Sequence, residues 1–219
     1  MNTVCKIADI DIYLLYFLKI KTIFVLSVIT KDENELILKQ DFFRELQIMR
    51  KENKVNKTNL IDLASRYGYI SILEWMDKSV CKFMYGNTAV EKAAKYGHIE
   101  ILEWFDKSKY EFKYDKWLIN KASQEGHIEI LEWFDKSKYE FKYDHWAINN
   151  SCYNGHIEIL EWFDKSGYEF KYDVRAITLA SMNRYVNVLE WFANSKYEFK
   201  YSHMAIDCAA KNGHIEVLE

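Results

Sequence analysis

The sequence predicts an all-α solenoid, in which short helix-turn-helix units stack side by side with short extended fingers between them. Three observations carry this. Gly68, Gly97, Gly126, Gly155 and Gly213 lie on one 29-residue ladder that only Arg184 interrupts. Trp75, Trp104, Trp133, Trp162 and Trp191 each follow a rung by seven residues. A hydrophobic content of 49% excludes a disordered chain. A fixed period of this length means copies of one small unit, each too small to bury its own apolar face, so neighbours must supply the wall.

The N-terminal region, 1–55, precedes the copies. Ile10 to Ile29 is mostly apolar, but Lys19 and Lys21 sit at its centre. Two lysines there would cost about 5–7 kcal/mol in a membrane span. Asp9 and Asp11 in front of the run, and the lack of an A-x-A cleavage site behind it, disfavour a signal peptide. A buried helical pair is the better expectation, with no membrane partner. The polar stretch Lys51 to Lys57 then forms the boundary.

Six units follow over 56–219: about 56–84, 85–113, 114–142, 143–171, 172–200 and a truncated 201–219. The third is representative. Leu118, Ile119, Ala122 and Ser123 precede Gly126 at three- and four-residue spacing, the signature of one face of a short helix A. Gly126 suits the left-handed residue that ends it. Helix B follows at once, with Ile128, Ile130, Leu131 and Phe134 on one stripe and Trp133 at its edge. Glu132 and Lys136 pair on its solvated side, as do Glu103 with Lys107 and Glu161 with Lys165. Between units, Tyr110, Phe112 and Tyr114 alternate with charges in an extended pattern. Asp115, Asp144 and Asp173 then suit the N-cap of the next helix A. With no proline in the chain, its turns rest on Gly, Asn, Asp and Ser.

The segment Asn212-Gly213-His214-Ile215-Glu216-Val217-Leu218 resembles the turn and second helix of the ankyrin repeat, and Ala93-Ala94 and Ala209-Ala210 resemble the paired alanines of its first helix. The family's unit has about 33 residues; here the finger is shorter, and the family's T-P-L-H and D-G elements are absent. Divergent arrays of large DNA viruses and protists look like this. The resemblance implies a protein-binding scaffold with no cofactor. Asp11 to Leu18, followed by Thr22 to Val28, is similar to the two core helices of an F-box, without its L-P opening. That would imply a substrate-recruiting adaptor of a ubiquitin ligase; the alternative is a degenerate helical cap on the solenoid. A truncated gene copy without function is a further alternative, because the last helix B stops one residue before its tryptophan falls due.

Catalytic and metal chemistry find no support. The chain has no H-E-x-x-H, G-x-x-x-x-G-K or G-x-S-x-G. His98-x-Glu100 lacks the P-C-x-x-C that a zinc deaminase needs. His98, His127, His156 and His214 recur once per unit, so stacked units would hold them about 10 Å apart, too far for the ~2 Å bonds of one zinc site. Each is expected to brace a turn. Net charge is −3, which gives nucleic acid no electrostatic foothold. Cys5, Cys81, Cys152 and Cys208 form no C-x-x-C and suit reduced packing residues in an intracellular, cytoplasmic protein, in the host cytoplasm if the chain is viral.

A partner protein is expected where the copies differ. Packing positions barely change, whereas the start of helix A reads Asn87-Thr88, Lys116-Trp117, His145-Trp146, Val174-Arg175 and His203-Met204. Trp117, Trp146, Arg175, His145 and His203 are the candidate binding residues, since Trp and Arg dominate binding hot spots. The slots that include Asn120-Lys121 and Asn149-Asn150 are expected to face outward beside them.

Overall fold

The computed structural model describes residues 44, 57–78 and 85–218. The candidate F-box or cap at 1–55, and with it the apolar run from Ile10, lies outside these residues apart from Arg44. Twelve helices are delimited among the described residues, with no strand. None of them is long and apolar enough to cross a membrane.

The chain divides into two compact units, Met1–Ala89 and Val90–Glu219, with the division inside one short helix. In the first, α1 (Lys57–Arg66) and α2 (Ile70–Lys78) form one helix pair. Leu60, Ile61, Leu63 and Ala64 are buried on α1, and Ile72, Leu73 and Met76 on α2. Gly68 takes a left-handed φ of 70° in the turn between them.

The second unit continues the pattern through α3 (Asn87–Lys95), α4 (Ile99–Lys107), α5 (Lys116–Gln124), α6 (Ile128–Asp135), α7 (His145–Asn154), α8 (Ile157–Ser166), α9 (Val174–Met182), α10 (Val186–Asn194), α11 (His203–Lys211) and α12 (Ile215–Leu218). Each helix A packs on the next helix A: α5 on α7, α7 on α9, α9 on α11. Each also packs on its own helix B, and neighbouring B helices touch in turn. This is a solenoid of stacked helix-turn-helix repeats.

Local chemistry sets each boundary. Asp115, Asp144 and Asp173 accept from the backbone N–H two residues on, at 2.8, 3.0 and 2.9 Å, and so cap α5, α7 and α9. At the other end the chain turns through Gly126 (φ 79°) or Gly155 (φ 77°), and the next N–H reaches back to a carbonyl in the preceding helix. His127 N–H meets Ala122 O and His156 N–H meets Ser151 O, each at 2.9 Å. Arg184 adopts the same left-handed conformation (φ 65°) without the glycine. Serine then closes helix B: Ser108, Ser137, Ser166 and Ser195 donate their hydroxyls to the carbonyl three residues back and accept the N–H two residues on.

Between the helices lies a continuous apolar layer. Leu118, Ile119, Ala122, Ile130 and Leu131 are fully buried, as are their counterparts one repeat on. Phe105, Phe134, Phe163 and Phe192 reach the centre of this layer. The periodic tryptophans Trp104, Trp133, Trp162 and Trp191 are only half-buried. They belong to a second layer, in which a finger phenylalanine from one repeat lies on the tyrosine of the next. Phe112 meets Tyr139 at 4.5 Å, Phe141 meets Tyr168 at 4.3 Å and Phe170 meets Tyr197 at 4.0 Å between ring centres. Trp162 and Trp191 stack on the outer side of Phe141 and Phe170. The fingers are thus short extended loops that join repeats through their rings.

Polar bonds cross the same junctions. The hydroxyls of Tyr139, Tyr168 and Tyr197 donate to Asp106, Asp135 and Asp164 of the preceding repeat at 2.7, 3.0 and 2.9 Å. Lys138 and Lys196 add ion pairs to Asp106 and Asp164, and together with the tyrosines they hold both carboxyls below the ordinary aspartate range. Tyr114, Tyr143 and Tyr172 donate to the backbone carbonyls of Glu140, Glu169 and Glu198 in the following finger.

Candidate functional site

Three of the recurrent histidines, His127, His156 and His214, brace the turn of the preceding repeat. His127 sends Nε2 to the carbonyl of Lys95 at 3.1 Å, and its imidazole lies over Gly97. A Cβ on Gly97 would come within 2.7 Å of that ring, and one on Gly126 would come within 2.7 Å of His156. Tyr185 takes the place of histidine over Gly155, where a Cβ would lie 2.5 Å from its ring. Gly97, Gly126 and Gly155 therefore answer two demands at once, a left-handed turn and close approach of an aromatic ring, whereas Gly213 answers only the first. His98, His127 and His156 also sit 3.1–3.3 Å from a glutamate two residues on, at their own helix starts. Among the described residues, no three His, Cys, Asp or Glu side chains gather into a metal-binding group.

The row of helix A starts carries the candidate binding residues. Three of them converge. The guanidinium of Arg175 lies 4.3 Å from the centre of the Trp146 ring, one repeat back. Its Nη2 donates to His145 Nε2 at 2.9 Å. Because arginine only donates, His145 must present a bare Nε2 and carry its proton on Nδ1. Asp173 holds the other edge of the fork, with both oxygens 3.1 Å from Nε and Oδ2 2.5 Å from Nη2. Arg175 thereby holds the Asp173 carboxyl down at about 2, helped by its own backbone N–H and by Asn149. The same carboxylate caps α9, so one side chain fixes both the helix start and the arginine.

Trp117 stands one repeat earlier and apart from this cluster. It is exposed, with Lys116 5.7 Å from its ring centre. Lys116 also pairs with Asp144 of the next repeat at 2.7 Å. Burial raises the Asp144 pKa, but Lys116, the Trp146 N–H and Asn120 outweigh it and leave the carboxyl below its ordinary value. His203 is exposed at the start of α11 and does not join Arg175 and Trp146. Met204 and Val174 are exposed on the same row.

Asn120 and Asn149 correct the expectation that their slots face outward. Both are fully buried. Asn120 donates to Asp144 Oδ1 at 2.8 Å and accepts the Asp144 N–H at 3.3 Å; Asn149 does the same for Asp173 at 2.9 and 3.3 Å. Each asparagine thus clamps the capping aspartate of the following repeat. The reason is geometric: helix A is followed by another helix A close enough to cover that side. A signal was present in the sequence, since Asn120 and Asn149 stand 24 residues before Asp144 and Asp173, and Thr178 lacks both the amide and a downstream aspartate. Ser202 makes no side-chain cap bond at that next junction.

Comparison with protein-family models and with curated proteins found no match.

Proposed function

We propose that this chain is a non-enzymatic protein-binding scaffold built from ankyrin-like repeats, and that it engages another protein along the row of helix A starts. The observation that carries this is the assembled Arg175–Trp146–His145 cluster. An arginine fixed at both edges of its fork and laid on an indole has lost its rotamer freedom before any partner arrives, which lowers the entropy cost of association. Exposed Trp117 extends the same row. These residue types dominate binding energy at interfaces, and they occupy positions that vary between copies whose packing positions do not.

The test is affinity purification of the tagged full chain from its native cell, read by mass spectrometry, beside the Trp117→Ala/Trp146→Ala double variant. A partner should be recovered with the parent and lost with the variant. Equal recovery by both would remove this row as the main anchor.

A ubiquitin-ligase adaptor is the second reading, and it rests on the F-box similarity of Asp11 to Val28. A co-purifying ligase adaptor that disappears on deletion of 1–55 would favour it. Either role would be played in the cytoplasm, of a host cell if the chain is viral.

A further inference from the structure

We infer that the groove between α8 and α10 receives an arginine side chain from a basic segment of a partner protein. This groove lies on the B helices, away from the helix A starts, and has a volume of about 620 Å³. Its walls include Ile157 and Glu161 from α8, and Glu190, Trp191 and Asn194 from α10.

Other copies satisfy the equivalent carboxylate from within the same helix. In three of them the glutamate of helix B binds a lysine four residues on: Glu103 to Lys107 at 3.0 Å, Glu132 to Lys136 at 3.9 Å, Glu161 to Lys165 at 3.2 Å. In the fifth copy the lysine is replaced by Asn194. Its amide turns back to the carbonyl of Glu190 at 2.8 Å and brings no charge to the carboxylate. Exposed Glu190 has no ion pair among the described residues. At its other end the groove is lined by Asn187, where the preceding copy has the longer, charged Glu158.

The remaining chemistry selects the occupant. Phe170 and Tyr197 stack on Trp191, at 5.5 and 6.0 Å, and another part of the indole lines the groove. Asp164 is already engaged by Lys196 at 2.8 Å and by the Tyr197 hydroxyl at 2.9 Å, so it leaves no cation shortfall there. What stays unmet is one carboxylate beside a fixed aromatic surface. A guanidinium meets both needs, because its plane stacks on an indole while its fork binds a carboxylate with two parallel bonds. An external arginine thus supplies the charge that the chain's own lysine supplies elsewhere.

The experiment titrates the full chain with N-acetyl-arginine amide and follows the Trp191 indole N–H in ¹H–¹⁵N spectra. N-acetyl-citrulline amide, which keeps the shape without the charge, and N-acetyl-lysine amide are the controls. Saturable shifts at about millimolar arginine are expected for a single side chain, with weaker binding of both controls. Asn194→Lys restores the internal lysine that three other copies carry, and Glu190→Gln removes the carboxylate. Each should weaken arginine binding by about 1.4- to 5-fold, the scale of one exposed ion pair. Undisturbed spectra elsewhere would show that both variants keep their fold. Absence of a shift, equal binding of citrulline or lysine, or full binding by folded Asn194→Lys would overturn the assignment.

Discussion

Removing the buried amide of Asn149 should open the junction between the fourth and fifth repeats. In Asn149→Ala, the Asp173 carboxylate loses a 2.9 Å donor, and the Asp173 backbone N–H loses a 3.3 Å acceptor. A hydrogen bond to a charged group contributes about 1.5–3 kcal/mol, and an orphaned buried donor costs about 1–3 kcal/mol. Arg175 still holds the carboxylate, so the lower half of the combined range applies, about 2.5–4 kcal/mol. Long repeat arrays need not unfold in one step, so site-resolved amide exchange is the better assay. The Asp173 N–H should exchange about 70- to 900-fold faster, the same energy expressed as a ratio, with α9 loosened more than α5. Thr178→Ala is the internal control, since Thr178 bonds only the Val174 carbonyl of its own helix. A loss below about 0.5 kcal/mol in Asn149→Ala, the size of an ordinary surface change, would refute the clamp.

Three further outcomes are expected. Phe163→Ala should cost about 3–5 kcal/mol, and Trp162→Ala distinctly less, because Phe163 is fully buried and Trp162 only half so; urea melts of both variants would check the order. Arg184→Gly should stabilise the chain by about 1–2 kcal/mol, by relieving a left-handed conformation, less whatever the Arg184–Glu216 ion pair contributes, whereas Arg184→Ala should give no gain in the same melts. Asp173 has a folded pKa depressed to about 2 from an ordinary 3.8, so its contribution is complete above the higher value and disappears as pH falls through the lower one. Carboxyl-carbon NMR titration should place its midpoint near 2, and Asp173→Asn should flatten acid unfolding between those two values; a midpoint at or above 3.8 would contradict the Arg175 pairing.

The period made most of the fold legible. Once Gly126 is fixed as a turn, the spacing of Leu118, Ile119, Ala122, Ile130, Leu131 and Phe134 determines which faces are buried, and the structure buries them. The aspartate caps were legible for the same local reason, since a cap bond spans only two residues. What the sequence hid is contact between repeats. Asn120 and Asn149 look like surface residues until the neighbouring helix A covers them. The tryptophans drew attention by rarity, yet the deeper position went to the phenylalanine beside each, because Trp sits at the edge of the helical stripe and meets the finger instead. The candidate binding row was found by its variability, but neither the Arg175 fork on Asp173 nor its bond to His145 follows from spacing.

All of this depends on neighbouring repeats being in register, ring over turn. A ¹³C-edited NOESY spectrum tests that register directly through the Gly155 and Gly126 α-protons. The expected result is cross-peaks from Gly155 to the Tyr185 ring and from Gly126 to the His156 ring, with ring-current shifts on both glycines. Glycine α-protons near random-coil positions, with no cross-peak to the aromatic residue one repeat on, would contradict the stacked arrangement.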